Sequence, residues 1–397
     1  MTDLPAAPIA PRLALAARMR DIEPFHVMEV GRRAAELEAS GRRIVHLEIG
    51  QPDFAAPQPV IDAAVAALAS DPMGYTAALG MPQLREAISR FYRERHTVDV
   101  APERIIVTAG ASGAFVLAMA ALVDPGDEVL MPDPCYPCTR HLVRLFEGVP
   151  RTIAVDERQN YQLALPDLQR CWGSHTRGVL LASPSNPTGT TLPRAELGRL
   201  LEWVRARDGW VLMDEIYGGL TYDGEPATAL SLAQDMFVVN SFSKYFCMTG
   251  WRLGWLVAPV AYVREIERLA QNAFICVSAP AQHAALAAFK PESLAVLESR
   301  RREFQRRRDF LVPALRKIGF RIPVMPQGAF YVYAGCEAFA PDSYAFAMAV
   351  LEQAGVAITP GIDFGSNHCE RYVRFAYTRD MADLEEGIER IRRFVGA

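Results

Sequence analysis

Between residues 105 and 258 the chain alternates short apolar, β-rich runs with longer stretches of helical periodicity, and this alternation limits the fold more than any other feature. The runs 105–108, 128–131, 179–182, 210–214, 237–240 and 253–258 have the length and side-chain content of buried strands. Stretches such as 113–122 and 194–207 between them carry a helical pattern. Strands that alternate with helices imply a parallel sheet covered by helices on both faces. The expected class is therefore α/β, a large domain with a mostly parallel sheet plus a smaller α+β domain. After Lys290 the pattern changes to a charged helical stretch, 292–317, with a kink expected near Pro313. Short strands at 328–334 and 372–377 follow. The expected boundaries are an N-terminal segment 1–49 that packs with the small domain, a large domain 50–290 and a small domain 291–397.

Half of the 397 residues are apolar and 22% are charged, enough for one large core and a satellite. A net charge of -4 argues against nucleic acid and anionic membrane as partners and favours small-molecule chemistry. The N-terminal tail, with Asp3, Pro5, Pro8 and Pro11, reads as mobile, and its apolar run 13–17, flanked by Arg12 and Arg18, is too short for a signal or a membrane span. The protein is expected in the cytoplasm. Seven cysteines without a secretory signal read as free thiols. Cys135-Tyr136-Pro137-Cys138 has no second pair to complete a zinc site, so no metal is expected. The basic runs 300–302 and 306–308, interleaved with Glu298 and Glu303, read as a solvated helix face rather than a nucleic-acid patch.

Lys244 is one of three lysines in a chain whose lysine and arginine total is 42. Lys290 and Lys317 stand near helix C-termini, where a cation is favoured. Lys244 follows the buried-strand pattern 236–239, and a strand end is where an open parallel sheet presents chemistry. Lysine can also lose its proton and form a Schiff base with a carbonyl, which arginine cannot.

Other polar signals fall at successive strand ends in Ser185-Asn186-Pro187-Thr188-Gly189 and Asp214-Glu215-Ile216-Tyr217. Each alone is ordinary turn or cap chemistry. The set is longer: Tyr75-Thr76 with Gly80 and Leu84-Arg85, then those two motifs, then Ser241-Phe242-Ser243-Lys244, Gly250-Trp251-Arg252-Leu253-Gly254 and Tyr372-Val373-Arg374-Phe375. In that order, from Gly50 to Arg374, it resembles the class I/II aminotransferase family of fold-type I pyridoxal-phosphate enzymes.

The resemblance implies pyridoxal 5'-phosphate as cofactor and Lys244, Asp214 and Tyr217 as catalytic residues. Lys244 is then the covalent anchor and the carrier of the proton between the substrate Cα and the cofactor. Asp214 keeps the pyridine nitrogen protonated, and Asn186 and Tyr217 hydrogen-bond the ring oxygen. The run 105–113 reads as strand, tight turn and helix start, so the backbone N–H groups of Ala111 and Ser112 can meet a phosphate. Ser241, Ser243 and Arg252 complete that cup, with Tyr75 supplied by the partner of a homodimer, and Tyr136 stacks on the ring. Arg374 forks onto the substrate α-carboxylate, with Asn186 and the backbone at Gly50 beside it; a structural salt bridge is the bland alternative for Arg374.

Two departures qualify the likeness. Asn367-His368-Cys369-Glu370 has Cys where the family commonly has Gly, and Ser112 stands where some aspartate-preferring relatives carry a lysine. The expected reaction exchanges an amino group between an L-amino acid (neutral, aromatic or aspartate) and a 2-oxo acid such as 2-oxoglutarate. Rival readings are β-elimination or decarboxylation on the same fold, a nicotinamide oxidoreductase using the imperfect glycine-rich turn at 108–113, and a cofactor-sensing regulator. The regulator lacks any helix-turn-helix pattern before Gly50.

Overall fold

The computed structural model describes residues 15–224 and 227–397; the prolines of the tail expected to be mobile, and the start of the 13–17 run, lie outside the described residues. The chain begins with α1 (His26–Ala39), β1 (Val45–His46), α2 (Gln58–Ser70) and α3 (Pro82–His96). The alternating region follows as β2 (Ile105–Thr108), α4 (Gly110–Leu122), β3 (Glu128–Asp133), α5 (Pro137–Leu145), β4 (Val149–Ala154), α6 (Leu165–Cys171), β5 (Thr176–Ala182), α7 (Arg194–Arg205), β6 (Trp210–Asp214), β7 (Phe237–Ser241) and β8 (Gly254–Val257). Then come α8 (Val260–Ala273), α9 (Ala279–Leu286), α10 (Pro291–Ile318), β9 (Tyr331–Gly335), α11 (Ser343–Ala349), β10 (Val356–Ala357), β11 (Thr359–Pro360), β12 (Tyr372–Ala376) and α12 (Met381–Val395).

Seven strands form the central sheet in the order β2-β8-β7-β6-β5-β3-β4. Neighbours from β7 to β4 are parallel, while β8 runs antiparallel between β2 and β7. Successive strand residues point to opposite faces, so each strand feeds two cores. Val238 joins Leu181, Met213 and Trp255 on one face, and its neighbours Phe237 and Val239 join Leu180, Leu212 and Leu256 on the other. Helix α4 covers the second face with Ala114, Phe115 and Ala118, and α3, α7 and α9 cover the first. β4 was not expected: it is an edge strand with mostly exposed side chains and Pro150 within it, so it lacks the buried pattern that marks the others.

Helix α10 is unbroken across Pro313 and ends at Gly319, whose φ of 118° suits a glycine cap. Its arginines correct the reading of a solvated face. Arg306 is exposed and paired with Glu303, but Arg307 and Arg308 are buried and reach Asp53 and Asp223, tying the helix to distant loops. Beyond α10, β11-β12-β9 form an antiparallel sheet in which Arg374 lies opposite Tyr333 and Thr359. β1 pairs with β10 in parallel, and Val30, Ala34 and Leu37 of α1 pack on Leu351 and Ala357. The carboxylate of Asp363 accepts the backbone N–H groups of His26 and Val27 at the start of α1 (2.8 and 2.9 Å). Among the described residues no helix is long and apolar enough to cross a membrane.

Leu256, fully buried at the centre of β8, is expected to carry a large share of this packing. Leu256→Ala should cost about 2–5 kcal/mol, read as a lower urea midpoint, whereas Lys317→Ala on the surface should change it by less than about 0.5 kcal/mol.

Candidate active site

The parallel strands deliver their C-terminal ends to one edge of the sheet: Thr108, Asp214 and Ser241 end β2, β6 and β7. Because β8 runs the other way, its N-terminal end lies at that same edge, with Gly254 opposite both Thr108 and Ser241. The reversal brings Arg252, two residues before β8 begins, to the strand ends where parallel sheets collect ligands.

Three segments meet there. Helix α4 starts at Gly110, three residues earlier than expected, so Ala111 and Ser112 lie in its first turn with unpaired backbone donors. Ala109 at the N-cap offers no side-chain cap, and no acidic residue occupies the first turn. Gly110 has φ 70°, and a Cβ there would lie 2.6 Å from Arg252 Nη2. A Cβ on Gly254 would meet Gly110 C at 2.7 Å and Ala111 N at 2.8 Å. Glycine is thus required on both sides of this close approach. Ser241 Oγ accepts the Ser243 N–H at 3.0 Å and lies 3.0 Å from Ser243 Oγ. Backbone donors at a helix N-terminus, two hydroxyls and a guanidinium form a donor set suited to a phosphate.

Beyond this cup, Lys244 Nζ donates to the carbonyl of Gly50 at 2.5 Å and stands 5.9 and 5.7 Å from the ring centroids of Tyr217 and Phe330. Desolvation lowers its pKa to about 8; the cations Arg374 and Arg252 push the same way, and Asp214 opposes them weakly. Burial also raises the Asp214 carboxyl to about 6, although one of its oxygens accepts the Ile216 N–H at 2.9 Å. Both groups therefore change protonation near neutrality, as acid–base chemistry requires.

Arg374 is 6% exposed in the middle of β12. It donates to Asn186 Oδ1 (3.0 Å), the Glu48 carbonyl (2.6 Å) and Thr359 Oγ1 (3.1 Å), and its Nε has no partner. Its guanidinium carbon lies 4.2 Å from the Tyr331 ring centroid and 4.9 Å from that of Phe364. Among the described residues no carboxylate lies within 4.0 Å of it, so the salt-bridge alternative fails.

Tyr331 was missed in the sequence, where it is one tyrosine in an apolar strand. Its hydroxyl bonds that of Tyr217 at 2.8 Å, and a Cβ on Gly50 would lie 1.9 Å from it. Gly50 thus makes room for Tyr331 while presenting its carbonyl to Lys244. Glu48 and Thr359, which hold Arg374, were missed too: Glu48 acts through its backbone carbonyl, which leaves no sequence signal, and Thr359 through one hydroxyl. Tyr136 sits at the N-cap of α5; desolvation pushes its hydroxyl pKa up, Cys138 adds to the rise, and Tyr331 and Asp214 push the same way. Tyr75 stands apart, 85% exposed, with no hydrogen bond or ring contact to the others among the described residues.

The model of the family "Aminotransferase class I and II" matches residues 42–391. The chain belongs to this family. Its relatives include a valine–pyruvate aminotransferase from Mycobacterium tuberculosis, 41% identical over 96% of this chain and 97% of that protein. A (5-formylfuran-3-yl)methyl phosphate transaminase from Methanocaldococcus jannaschii is 34% identical over 96% and 99%. An aminotransferase crystal structure from M. tuberculosis superposes with a TM-score of 0.93 at 40% identity, covering 96% of this chain and 99% of that one. An aspartate aminotransferase from Thermus thermophilus with maleate gives 0.91 at 32% identity, covering 96% and 100%. This class I and II aminotransferase accordingly has the fold-type I architecture of a pyridoxal-phosphate family, and its chemistry is transamination with 2-oxo acids.

The like charges around Lys244 make a test. In the cofactor-free protein carrying Lys290→Arg and Lys317→Arg, trinitrophenylation of Lys244 should follow an apparent pKa of about 8. Arg374→Met removes a depressing cation, so the reaction profile should move to higher pH; an unchanged profile would show that Arg374 exerts no field at the amine.

Proposed function

We propose that this aminotransferase binds pyridoxal 5'-phosphate in the cleft bounded by α4, Asp214, Lys244 and Arg374. The N–H groups of Ala111 and Ser112, the hydroxyls of Ser241 and Ser243, and Arg252 would hold the phosphate, Tyr136 would cover the ring, and Asp214 would serve its nitrogen. When bound, the cofactor supplies a carbonyl that captures an amino group and a protonated ring that takes up electron density. The observation that carries the reading is Arg374: a buried guanidinium with neutral acceptors and an idle Nε, whose charge acts on Lys244.

The residues divide the work. Arg374 forks onto the α-carboxylate, and Asn186, whose Oδ1 already orients that guanidinium, turns its amide toward the ring oxygen together with Tyr217. Tyr331 fixes the Tyr217 hydroxyl through their shared hydrogen bond. Lys244 would be the residue that holds the cofactor carbonyl, and as a free amine with a pKa of about 8 it would carry the proton at the substrate Cα. Asp214, ionised above about pH 6, holds a proton on the ring nitrogen by charge. Anion and cation stabilise each other, so a protonated ring nitrogen beside Asp214 would offset the rise that burial imposes on its carboxyl.

The substrates inferred are a neutral L-amino acid and a 2-oxo acid such as 2-oxoglutarate, with aromatic amino acids and aspartate as further donors. The valine–pyruvate and aspartate aminotransferases among the relatives support that range, and the maleate of the Thermus structure supports room for dicarboxylates. We further infer a cytoplasmic homodimer, in which the exposed Tyr75 reaches the partner's phosphate cup. The domains inferred are 50–290 for the cofactor and 291–397 as the small domain, carrying 1–49; the β1–β10 pairing and the seat of α1 support that division.

The test is the near-ultraviolet and visible spectrum of the purified protein during titration with single L-amino acids. The cofactor band should convert to that of its amino form, with stoichiometric release of 2-oxo acid, and Lys244→Ala should slow turnover by roughly 10²- to 10⁴-fold. Absence of any chromophore after cofactor is supplied would refute the reading, and release of ammonia or carbon dioxide would replace transamination by elimination or decarboxylation.

A further inference from the structure

Each backbone carbonyl from His46 to Gly50 is taken by a donor. Arg379 Nε reaches that of His46 (3.3 Å) and the Ala376 N–H that of Leu47 (2.7 Å). The Glu48 carbonyl accepts both Arg374 Nη2 (2.6 Å) and the Thr359 hydroxyl (3.1 Å). The Thr378 hydroxyl donates to that of Ile49 (2.8 Å), and Lys244 Nζ to that of Gly50 (2.5 Å). This short segment therefore carries acceptors for both cations of the cleft, and its path decides where their donors point.

Two of its side chains fix that path. The Glu48 side chain is fully buried; its Oε1 lies 2.7 Å from His46 Nδ1, and its Oε2 has no partner. The second ring nitrogen of His46, Nε2, lies 3.1 Å from Glu38 Oε1 at the end of α1. Ionised carboxylates only accept, so this geometry is that of an imidazolium donating from both nitrogens. The bond between side chains two residues apart closes a ring across the bend at Glu48 and neutralises a carboxylate that is costly to bury alone. It also raises the His46 pKa to about 8 against the opposing effect of desolvation, with Glu38 adding to the rise. The other charges packed about β1 are committed elsewhere. On α12, which meets Val45 at Gly387, Asp383 pairs with Arg43 and Arg390 with Glu386. Arg379 donates to the His46 backbone, and the paired strand β10 brings only Val356 and Ala357.

We propose that His46 is a positioning residue for Arg374: as a cation it holds Glu48, and through the Glu48 carbonyl it aims the guanidinium at the substrate α-carboxylate. The inference rests on the proposed role of Arg374 and adds a protonation state on which its grip depends. Because the folded value lies above the ordinary 6.5, the hold is complete below that pH and is lost as pH rises through about 8. A neutral ring donates from one nitrogen only, and Glu48 then loses its counter-charge.

The experiment follows the half-reaction of the amino-form holoenzyme with pyruvate, whose carboxylate stays ionised, from about pH 6 to about 9.5 by the cofactor spectrum. Wild-type KM should rise as pH passes about 8. Lys244 titrates in the same range but is common to every variant, so the ratio between profiles isolates His46. At the acid end His46→Gln should raise KM roughly 3- to 10-fold with kcat unchanged, and the ratio to wild type should fall toward one above about pH 8. A ratio that does not vary with pH, or a loss in kcat instead, would reduce His46 to a prop of the strand; a KM equal to wild type at every pH would refute it. Glu38→Gln supplies a second arm on an exposed side chain that leaves the core untouched. It removes one of the two carboxylates on the ring, so KM should begin to rise at lower pH, and an unmoved rise would overturn the proposal even if His46→Gln does not fold. Failure of the cofactor reading is separate, since it would leave the wild type without a chromophore.

Discussion

The site depends on cations satisfied by backbone carbonyls rather than by carboxylates. Lys244 donates to the Gly50 carbonyl, Arg374 to that of Glu48 and Arg252 to that of Thr249. A carbonyl fulfils a donor's hydrogen bond without cancelling its charge, so the positive field survives in a desolvated space. Arg374 and Arg252 both depress the Lys244 pKa, and Asp214 offsets them only in part. Such a cleft favours ligands that bring negative charge; in the proposed reading these are a phosphate and a carboxylate. Desolvation above all, with this field pushing the same way, lowers the Lys244 pKa to about 8.

The sheet supplies the geometry through one reversed strand. Were β8 parallel to its neighbours, the segment preceding it would lie at the opposite edge, remote from Asp214 and Ser241. Antiparallel pairing on both sides turns Gly250 to Gly254 toward the helix N-terminus of α4 instead. The contact is so close that Gly110 and Gly254 have no room for a Cβ. Packing, chain direction and the absence of side chains at two positions together put Arg252 beside the first turn of α4.

What the sequence disclosed follows the same physics. The strands at 105–108, 210–214 and 237–240 were legible because burial on both faces demands continuous apolar runs, and Lys244 because lysine is scarce here. Asp214, Asn186 and Arg374 were legible through the order of their motifs, and the structure brings Arg374 into contact with Asn186 and into the electrostatic range of Lys244. β4 escaped because an exposed edge strand needs no apolar pattern. Tyr331 escaped because its significance lies in a contact with Tyr217, a residue far away in sequence. Arg307 and Arg308 were misread for the same reason, since their neutralising partners Asp53 and Asp223 sit far from α10 in sequence.

The pairing of β1 with β10 and the bond from Arg374 to Glu48, 326 residues apart, have a bearing on how the protein is made. A ribosome delivers the N-terminal strand first, while its partner strand and the arginine emerge only near the end of synthesis. Residues 45–50 must therefore wait, unpaired, through most of translation, after the central sheet has the chain it needs to assemble. The Gly50 carbonyl that steadies Lys244 belongs to this late-locking segment. Nascent chains thus acquire a packed core well before they acquire a competent cleft, and the interval between the two is when the β1 edge is open to mispairing.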